Sequence, residues 1–520
     1  MYYNMSMKKP NLASWWRNSK LKNVLRNILY RIRRISNLRI IFLVYLMIVV
    51  VSSLILYSPI SHQSKQNITY IDAIFTTASA FSDTGLVTKT SWNTWNVFGQ
   101  AVIAFLILAG GIGIFALKIF FFSLLFPKSK KSISEMNLVA QERGGDNLGQ
   151  NKKIIFHSVA TLLIITLVAG FGLSFYFYSA KPLGAGNEQF YGKFISPQHN
   201  WNLAFRYGFF HTISALNNAG FDIIGDNSLM SYYHNVDLQI LFVFLFIIGG
   251  LGFPVIYDLL NFLKLKIKYR HQKRKYVFKL ITKLSIITYV ITTFVGFFAL
   301  LSFELLSKKT NLANFWNISE YGSKAQKIWQ MFFLSLSTRS AGFSTINLSD
   351  LSTGSIIVLS ILMFIGAGPV STGGGIRTTT IAILILAMIS KILGRPSVRA
   401  FKRRIDDSTV KMSSIVFSIS IFLVITFSLI SSSSLSEYGG RLDSTKFNFA
   451  HVLFEVASAF GTSGLTVGVT TGLNIVSKIF IILIMFIGQF GISSTVLVWG
   501  NNKRNYAYKY DYIHEEVMIG

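Results

Sequence analysis

The sequence contains no cysteine, and only 21 of its 520 residues are acidic against 50 Lys and Arg. The first absence excludes a disulfide scaffold, a thiolate zinc site and a cysteine nucleophile. The second leaves a formal net charge of +29. Charge of both signs together is also scarce, at 14% of residues, where soluble proteins average about 25%. Mean hydropathy is +0.49. With 46 Phe and 22 Tyr, intrinsic disorder is excluded as well. At roughly 100–200 residues per soluble domain the length would allow about three, but this composition reads as one large membrane protein.

Eight apolar runs reach the length a bilayer crossing needs, at 40–57, 97–126, 154–178, 237–263, 277–303, 355–390, 412–435 and 474–499. The first is long and follows a 39-residue basic leader, so it reads as a retained span and not a cleaved signal peptide. Between the members of each pair lies a shorter, semi-polar segment, at 70–84, 201–219, 325–341 and 447–463. Irregular backbone at membrane depth survives only against protein or a water-filled cavity, so these are expected to be re-entrant.

The basic surplus has a side. The leader to Arg39, the loops 118–153, 258–283 and 391–411, and the tail 500–520 hold 36 basic and 9 acidic residues. The alternate segments hold 13 basic and 12 acidic, and Arg377 stands alone inside a span. This is the positive-inside pattern and predicts that both termini are cytoplasmic. The basic residues flank apolar spans instead of lining one soluble face, which argues against a nucleic-acid surface.

Four segments superpose on one glycine: FTTASAFSDTGL (75–86), FHTISALNNAGF (210–221), FFLSLSTRSAGF (332–343) and FEVASAFGTSGL (454–465). The shared glycines are Gly85, Gly220, Gly342 and Gly464, separated by 135, 122 and 122 residues. Ten positions before each stands Phe75, Phe210, Phe332 or Phe454, and one position after each stands Leu86, Phe221, Phe343 or Leu465. A second glycine cluster follows each segment: LAGGIGIF (108–115), IIGGLGFP (247–254), FIGAGPVSTGGGIRTTT (364–380) and FIGQFGISS (486–494). The domain reading is a leader (1–39), repeats at 40–126, 154–263, 277–390 and 412–499, cytoplasmic loops at 127–153, 264–276 and 391–411, and a tail (500–520). In the first, second and fourth repeats the second glycines read as helix–helix contacts, where small residues let backbones approach.

Four copies of a span–short helix–span unit can surround one axis. A short helix ending there presents its carbonyl end, carrying about half a negative charge, and four such ends favour a cation. The chain must then turn back, which glycine permits while keeping side chains off the axis. Rings of backbone carbonyls that replace an ion's hydration shell are how potassium filters work. Small polar neighbours such as Ser82, Thr84, Asn217, Asn218, Ser340, Thr462 and Ser463 suit such a turn. In the third repeat Gly368, Pro369, Gly373, Gly374 and Gly375 interrupt the second span, since each Gly costs a helix about 1 kcal/mol and Pro about 3. A broken helix beneath a filter reads as a gate.

These segments resemble the four pore loops of the Trk/Ktr/HKT superfamily of potassium transporters, closest to the bacterial Ktr/Trk membrane subunit. The resemblance runs from about residue 38 to 499 and is most specific in its fourfold recurrence together with GPVSTGGGIRTTT. It implies an all-α integral membrane fold: four helix–pore-loop–helix repeats, with eight spanning helices and four re-entrant pore helices around a pseudo-fourfold pore. The implied filter comprises Ser82, Asp83, Thr84 and Gly85; Asn217, Asn218, Ala219 and Gly220; Arg339, Ser340, Ala341 and Gly342; and Gly461, Thr462, Ser463 and Gly464. Potassium is substrate, held at filter backbone carbonyls; sodium is a candidate activator, and no cofactor is expected on this chain. The implied gating loop comprises Gly368, Pro369, Ser371, Thr372, Gly373, Gly374, Gly375 and Arg377. Relatives carry an arginine below the filter where this sequence has Gln489, the candidate cavity barrier, and an uncharged residue at Asp83. Asp83 reads either as an outer-mouth acid that concentrates cations or as a partner of Lys89. Gly85 favours potassium, because a serine there goes with sodium preference in the plant branch. The resemblance further implies a homodimer of pores in the lipid membrane and a separate, ring-forming nucleotide-binding subunit in the cytoplasm. The basic loops 258–283 and 391–411 read as anchors on anionic lipid or as that subunit's docking face.

Other functions fit less well. A polytopic membrane enzyme would need convergent acids, histidines or a nucleophile, yet the eight histidines form no HExxH or HxxxH pair. His211, His451 and Glu455 fall in the short helices, where packing or capping is the expected role. A proton-coupled carrier would carry acids inside its spans, and these contain almost none. A phosphate loop at GPVSTGGGIRT (368–378) lacks the Lys-Ser/Thr that follows its glycines. A sodium or mixed sodium/potassium transporter of the same fold is the nearest alternative.

Overall fold

A computed structural model describes residues 37–63, 67–125, 148–270, 275–307 and 314–492. The basic leader to residue 36, most of the 127–153 loop and the tail lie outside the described residues.

Each repeat has a long helix and a short helix, followed in the first three by a broken helix and in the fourth, among the described residues, by one helix. The first comprises α1 (Asn37–Tyr57), α2 (Tyr70–Phe81), α3 (Val97–Ile112) and α4 (Ile114–Leu125). The second comprises α5 (Leu148–Ser179), α6 (Trp201–Leu216), α7 (Val236–Leu251) and α8 (Phe253–Lys268). The third comprises α9 (Leu280–Ser307), α10 (Lys324–Ser337), α11 (Thr353–Phe364) and α12 (Thr378–Ile392). A small hairpin, β1 (Arg399–Ala400) with β2 (Arg403–Arg404), leads to α13 (Asp407–Ser432), α14 (Phe449–Gly461) and α15 (Ile475–Phe490). The short helices start at polar caps: Asn200 accepts from Leu203 N, Ser323 from Gln326 N, and Asn448 from Ala450 N and His451 N. Capping satisfies amides that would otherwise be orphaned at membrane depth.

The four long helices have mean hydropathies of 2.8, 2.3, 2.2 and 2.3, and only 28–39% of their most apolar stretches is buried. On α5, Ile164, Val168, Phe171 and Phe175 are all exposed, while Thr76, Ser79, His211, Glu304 and Glu455 are buried. This inverts the ordinary soluble arrangement and is what a bilayer solvent requires. Hydroxyls within the spans bond back to their own helix, as Ser420 does to Val416 O at 2.7 Å and Ser428 to Val424 O at 2.8 Å. The chain is an all-α, multi-pass membrane protein.

The pattern predicts eight spans, with only the sixth interrupted. Among the described residues, four helices are long and apolar enough to cross a membrane, or six if each bent pair is one span. The second span of the first repeat bends by 89° between α3 and α4, and that of the second repeat by 106° between α7 and α8. The breakpoints are Gly113 and Gly252, at φ +90° and +85°, and α15 stops at Gly491, at φ +80°. A left-handed residue cannot continue a right-handed helix, so the last glycine is a bend in the first two of these clusters and the helix end in the other. The third repeat parts α11 from α12 by a non-helical loop, 365–377.

The contact reading holds for the first glycine of each of those three clusters. A Cβ on Gly110 would lie 2.0 Å from Phe81 O, one on Gly249 2.0 Å from Leu216 O, and one on Gly488 2.0 Å from Phe460 O. Each short helix thus ends against the backbone of the glycine-bearing helix in its own repeat, which no side chain would permit.

Candidate functional site

The ends of the four short helices share one backbone solution. Two positions before each aligned glycine stands a left-handed residue that is not glycine: Asp83 (φ +50°), Asn218 (+57°), Ser340 (+69°) and Thr462 (+46°). In three repeats the next amide closes back onto the helix, Thr84 N to Ser79 O and Ala219 N to Ser214 O at 2.8 Å, and Ser463 N to Ser458 O at 2.9 Å. In the third, Gly342 N reaches Ser337 O at 3.2 Å. This Schellman-type closure ends the helix and sends the chain back the way it came. The aligned glycines are again left-handed, at φ +85°, +67°, +77° and +84° for Gly85, Gly220, Gly342 and Gly464.

These glycines meet. A Cβ on Gly85 would lie 2.3 Å from Ala219 O, one on Gly220 3.0 Å from the Gly342 Cα, one on Gly342 2.0 Å from Ser463 O, and one on Gly464 2.3 Å from Thr84 O. The four form a closed ring in chain order at the floor of a polar cleft of about 160 Å³, whose walls include Asp222 and Asp226.

The left-handed cap side chains tie the turns to their surroundings. Ser340 Oγ donates to Gly461 O at 2.8 Å, and Thr462 Oγ1 accepts from Gly374 N at 2.7 Å. In the amide orientation that satisfies both its ends, Asn218 donates to Ala215 O at 3.0 Å and accepts from Gly250 N at 3.2 Å. Asp83 Oδ2 accepts from Gln489 Nε2 at 3.1 Å. Asp83 is fully buried and does not line the cleft, so the outer-mouth expectation is corrected, and Lys89 is exposed.

The neighbouring positions differ. Ser82 and Thr84 share a hydroxyl contact of 2.7 Å, and Asn217 Nδ2 donates to Ile213 O at 2.9 Å. Ala219, Ala341 and Ser463 are buried within their turns. Gly461 closes α14, where a Cβ would lie 2.1 Å from Met363 O. Arg339 contributes only backbone to its turn. Its buried guanidinium leaves the ring, donates to Thr292 Oγ1 and to Gly366 O at 2.7 Å, and lies 4.9 Å over the Tyr289 ring. It ties the start of the break in the third repeat to α9.

The loop 365–377 packs beneath the turns. Gly368 N donates to Gly250 O at 2.8 Å, and Phe253 N to Val370 O at 3.1 Å, so the loop is laced to the bend in the second repeat. A Cβ on Gly252 would lie 2.1 Å from Pro369 O, and one on Gly373 2.6 Å from the Ser340 Cβ. Gly375 is left-handed at φ +75° and abuts Gly461. Arg377 donates to Gly373 O and, at 3.3 Å, to Gln489 O, and lies 3.5 Å from Ser371 Oγ. Gln489 Nε2 also donates to Thr372 O, at 3.0 Å.

Two bracing residues carry a signal in the alignment that the sequence reading did not use. His211 and Glu455 both stand nine residues before their glycine. His211 Nε2 accepts from Ile223 N at 3.3 Å, with Nδ1 2.7 Å from Tyr207 O. Glu455 accepts from Val467 N at 3.2 Å, Val469 N at 3.1 Å, Thr470 Oγ1 at 2.9 Å and Thr466 Oγ1. Ile223 and Val467 are both three residues past the glycine, so the same position grips the same point of the returning strand. The packing role expected of both is the one observed.

The TrkH family model, described as a cation transport protein, matches residues 31–502. The chain is 32% identical to Ktr system potassium uptake protein D of Bacillus subtilis, over 94% of this chain and 98% of that one. It is 29% identical to the potassium/sodium uptake protein NtpJ of Enterococcus hirae, over 94% and 98%. The crystal structure of the potassium transporter TrkH from Vibrio parahaemolyticus superposes with a TM-score of 0.63 at 17% identity, covering 90% of this chain and 86% of that one. The matched family consists of ion transporters and not enzymes. From the family match over almost its whole length, this chain is a membrane subunit of the Trk/Ktr superfamily, a member of the TrkH cation-transport family.

Proposed function

We propose that this protein takes up potassium across the cell membrane, down its electrochemical gradient, through a filter built from the turns at Gly85, Gly220, Gly342 and Gly464. The observation that carries the reading is their closed ring at the floor of one cleft, with every glycine left-handed. Each turn follows a helix whose carbonyl end is aimed at the ring, a field that favours a cation. The membrane potential contributes about 2.3 kcal/mol per charge per 100 mV, enough to drive accumulation. Relatives named for potassium uptake, and one for potassium and sodium, support the ion class.

The loop 368–377 is the gate. It lies against the turns at Ser340 and Thr462 and is held at both ends by bends of neighbouring repeats. Gln489 takes the barrier position by bridging this loop to Asp83. Eight membrane crossings follow if each broken helix counts as one, with the basic loops and both termini in the cytoplasm. A second copy of the chain and a separate nucleotide-binding cytoplasmic subunit complete the assembly on this reading.

Expression in a bacterium lacking potassium uptake, with the regulatory partner supplied, restores growth at low potassium. Membrane-localised, folded protein that does not restore it refutes the function. Flux compared in potassium and in sodium separates potassium uptake from the sodium or mixed reading suggested by the Enterococcus relative.

A further inference from the structure

An apolar groove of about 660 Å³ runs between α11 and α12 on one side and α13 on the other. Ile361, Ile385, Met388, Phe417 and Ile425 form its walls and Ala457 of α14 part of its floor. Four of them are open to the surroundings: Ile361 at 55% exposure, Ile385 at 47%, Met388 at 61% and Ile425 at 48%. Its volume is within the range of built ligand sites, roughly 300–1,000 Å³.

One end of the groove is strongly basic. On α12, Lys391 stands one turn beyond Met388; on α13, Lys411 stands one turn before Ser414, which also lines the groove. The segment joining those helices carries Arg395 and then Arg399, Lys402, Arg403 and Arg404 on the β1–β2 hairpin, all exposed. Against these seven cations stand Asp406 and Asp407, and Asp407 is already engaged by Arg404 at 3.2 Å. An apolar trough with a cationic end matches one chemistry: a hydrocarbon chain under an anionic headgroup. A second copy of this chain fits less well, because a twofold partner seated here would bring its own cationic end alongside.

The position gives an occupant leverage. Phe364 and Ile365, which also line the groove, are the last helical residue of α11 and the first residue of the break. We propose that this groove is a binding site for an anionic phospholipid of the membrane, its acyl chain against the break in the third repeat and its phosphate on Lys391, Lys411 and the hairpin arginines. Phosphate matches these donors, arginine through a paired fork and lysine as a point charge. The site depends on the membrane setting of these helices and holds whichever ion the protein carries.

The full chain in phosphatidylcholine nanodiscs, with a trace of phosphatidylglycerol bearing a photoreactive acyl chain, tests the site. Adducts mapped by mass spectrometry concentrate on peptides carrying Ile361–Ile365, Met388 and Phe417. Unlabelled phosphatidylglycerol competes about tenfold better than phosphatidylcholine. Lys391→Gln with Lys411→Gln lowers labelling about tenfold or more, since each cation near an anionic surface contributes about 1 kcal/mol. Ile361→Trp, which fills the trough, lowers labelling without altering charge, and elution as a single species shows that each variant is folded. Adducts spread evenly over all outward-facing helices, or equal competition by the two lipids, overturn the proposal. So does cross-linking of two copies through Phe417, which would make a second chain the occupant.

Discussion

Gln489 donates from one amide nitrogen to the Asp83 carboxylate at 3.1 Å and to the Thr372 carbonyl at 3.0 Å. It joins the first turn of the ring, 406 residues away in sequence, to the loop of the third repeat, 117 residues away. Arg377 closes the arrangement by donating to the Gln489 carbonyl at 3.3 Å. The loop is therefore clipped from two sides to the end of α15.

Removing the side-chain half of the clip loosens the loop. In Gln489→Leu both hydrogen bonds are lost, and a bond to a charged group is worth about 1.5–3 kcal/mol. If the clip holds the closed loop, potassium flux into proteoliposomes rises about tenfold. An unchanged flux in folded protein means that the clip plays no part in closure.

Deleting Gly373–Gly375 removes the stretch that packs under Ser340 and Thr462, including the amide that donates to Thr462 Oγ1 at 2.7 Å. Flux rises above wild type in the same assay. A deletion protein that folds and conducts at the wild-type rate would refute the gating role.

Gly85→Ser places a Cβ 2.3 Å from Ala219 O at a backbone φ of +85°. Such a conformation costs a side-chain-bearing residue about 1–3 kcal/mol, so the turn shifts and its carbonyls lose their spacing. The potassium/sodium selectivity ratio falls several-fold and the melting temperature drops. A folded variant with the wild-type ratio shows that Gly85 does not line the conduction path.

Glu455→Gln and Glu455→Ala separate in effect. Glutamine retains Oε1, which accepts from Thr466, Val467 and Val469, and its amide faces Thr470 Oγ1 in place of Oε2. Alanine orphans two buried amides, at about 1–3 kcal/mol each. Selectivity survives in the first variant and degrades in the second, read from competitive rubidium uptake in sodium. Equal loss in both would mean that charge, and not positioning, is what Glu455 supplies.

Uptake weakens in mild acid. Asp222 follows Gly220 by two residues, outside the spans, and lines the cleft. Burial pushes its carboxyl up to about 7, with Asp226 adding repulsion, against the Ile224 and Gly225 amides and the Ser228 hydroxyl. The group therefore ionises only as pH rises through about 7, and its charge then concentrates cations beside the ring. Initial uptake falls several-fold from pH 8 to pH 6, and Asp222→Asn is slow and flat across that range. An unaltered profile in Asp222→Asn excludes this carboxyl as the titrating group.

The order of elements was legible because membrane depth leaves the backbone few options. Apolar runs mark the helices, and the recurring glycine marks every turn because a left-handed residue is needed there. The breaks in the first and second repeats, and the end of α15 at Gly491, were not legible. In GGIG, GGLG and GQFG the same residue type serves first as a close contact and then as a left-handed helix end, and composition does not separate the two. Arg339 read as part of a turn because sequence shows where a backbone goes and not where its side chain points.

By itself the sequence determined the membrane setting, the fourfold repeat and the positions of Gly85, Gly220, Gly342 and Gly464, which follow from hydropathy and local backbone demands, while the family came from the resemblance of its motifs. Tertiary structure alone decided which groups meet: Asp83 with Gln489, Thr462 with Gly374, Arg339 with Gly366. Those pairings join residues of different repeats or distant segments. They depend on how the helices pack around the ring, which no local pattern records.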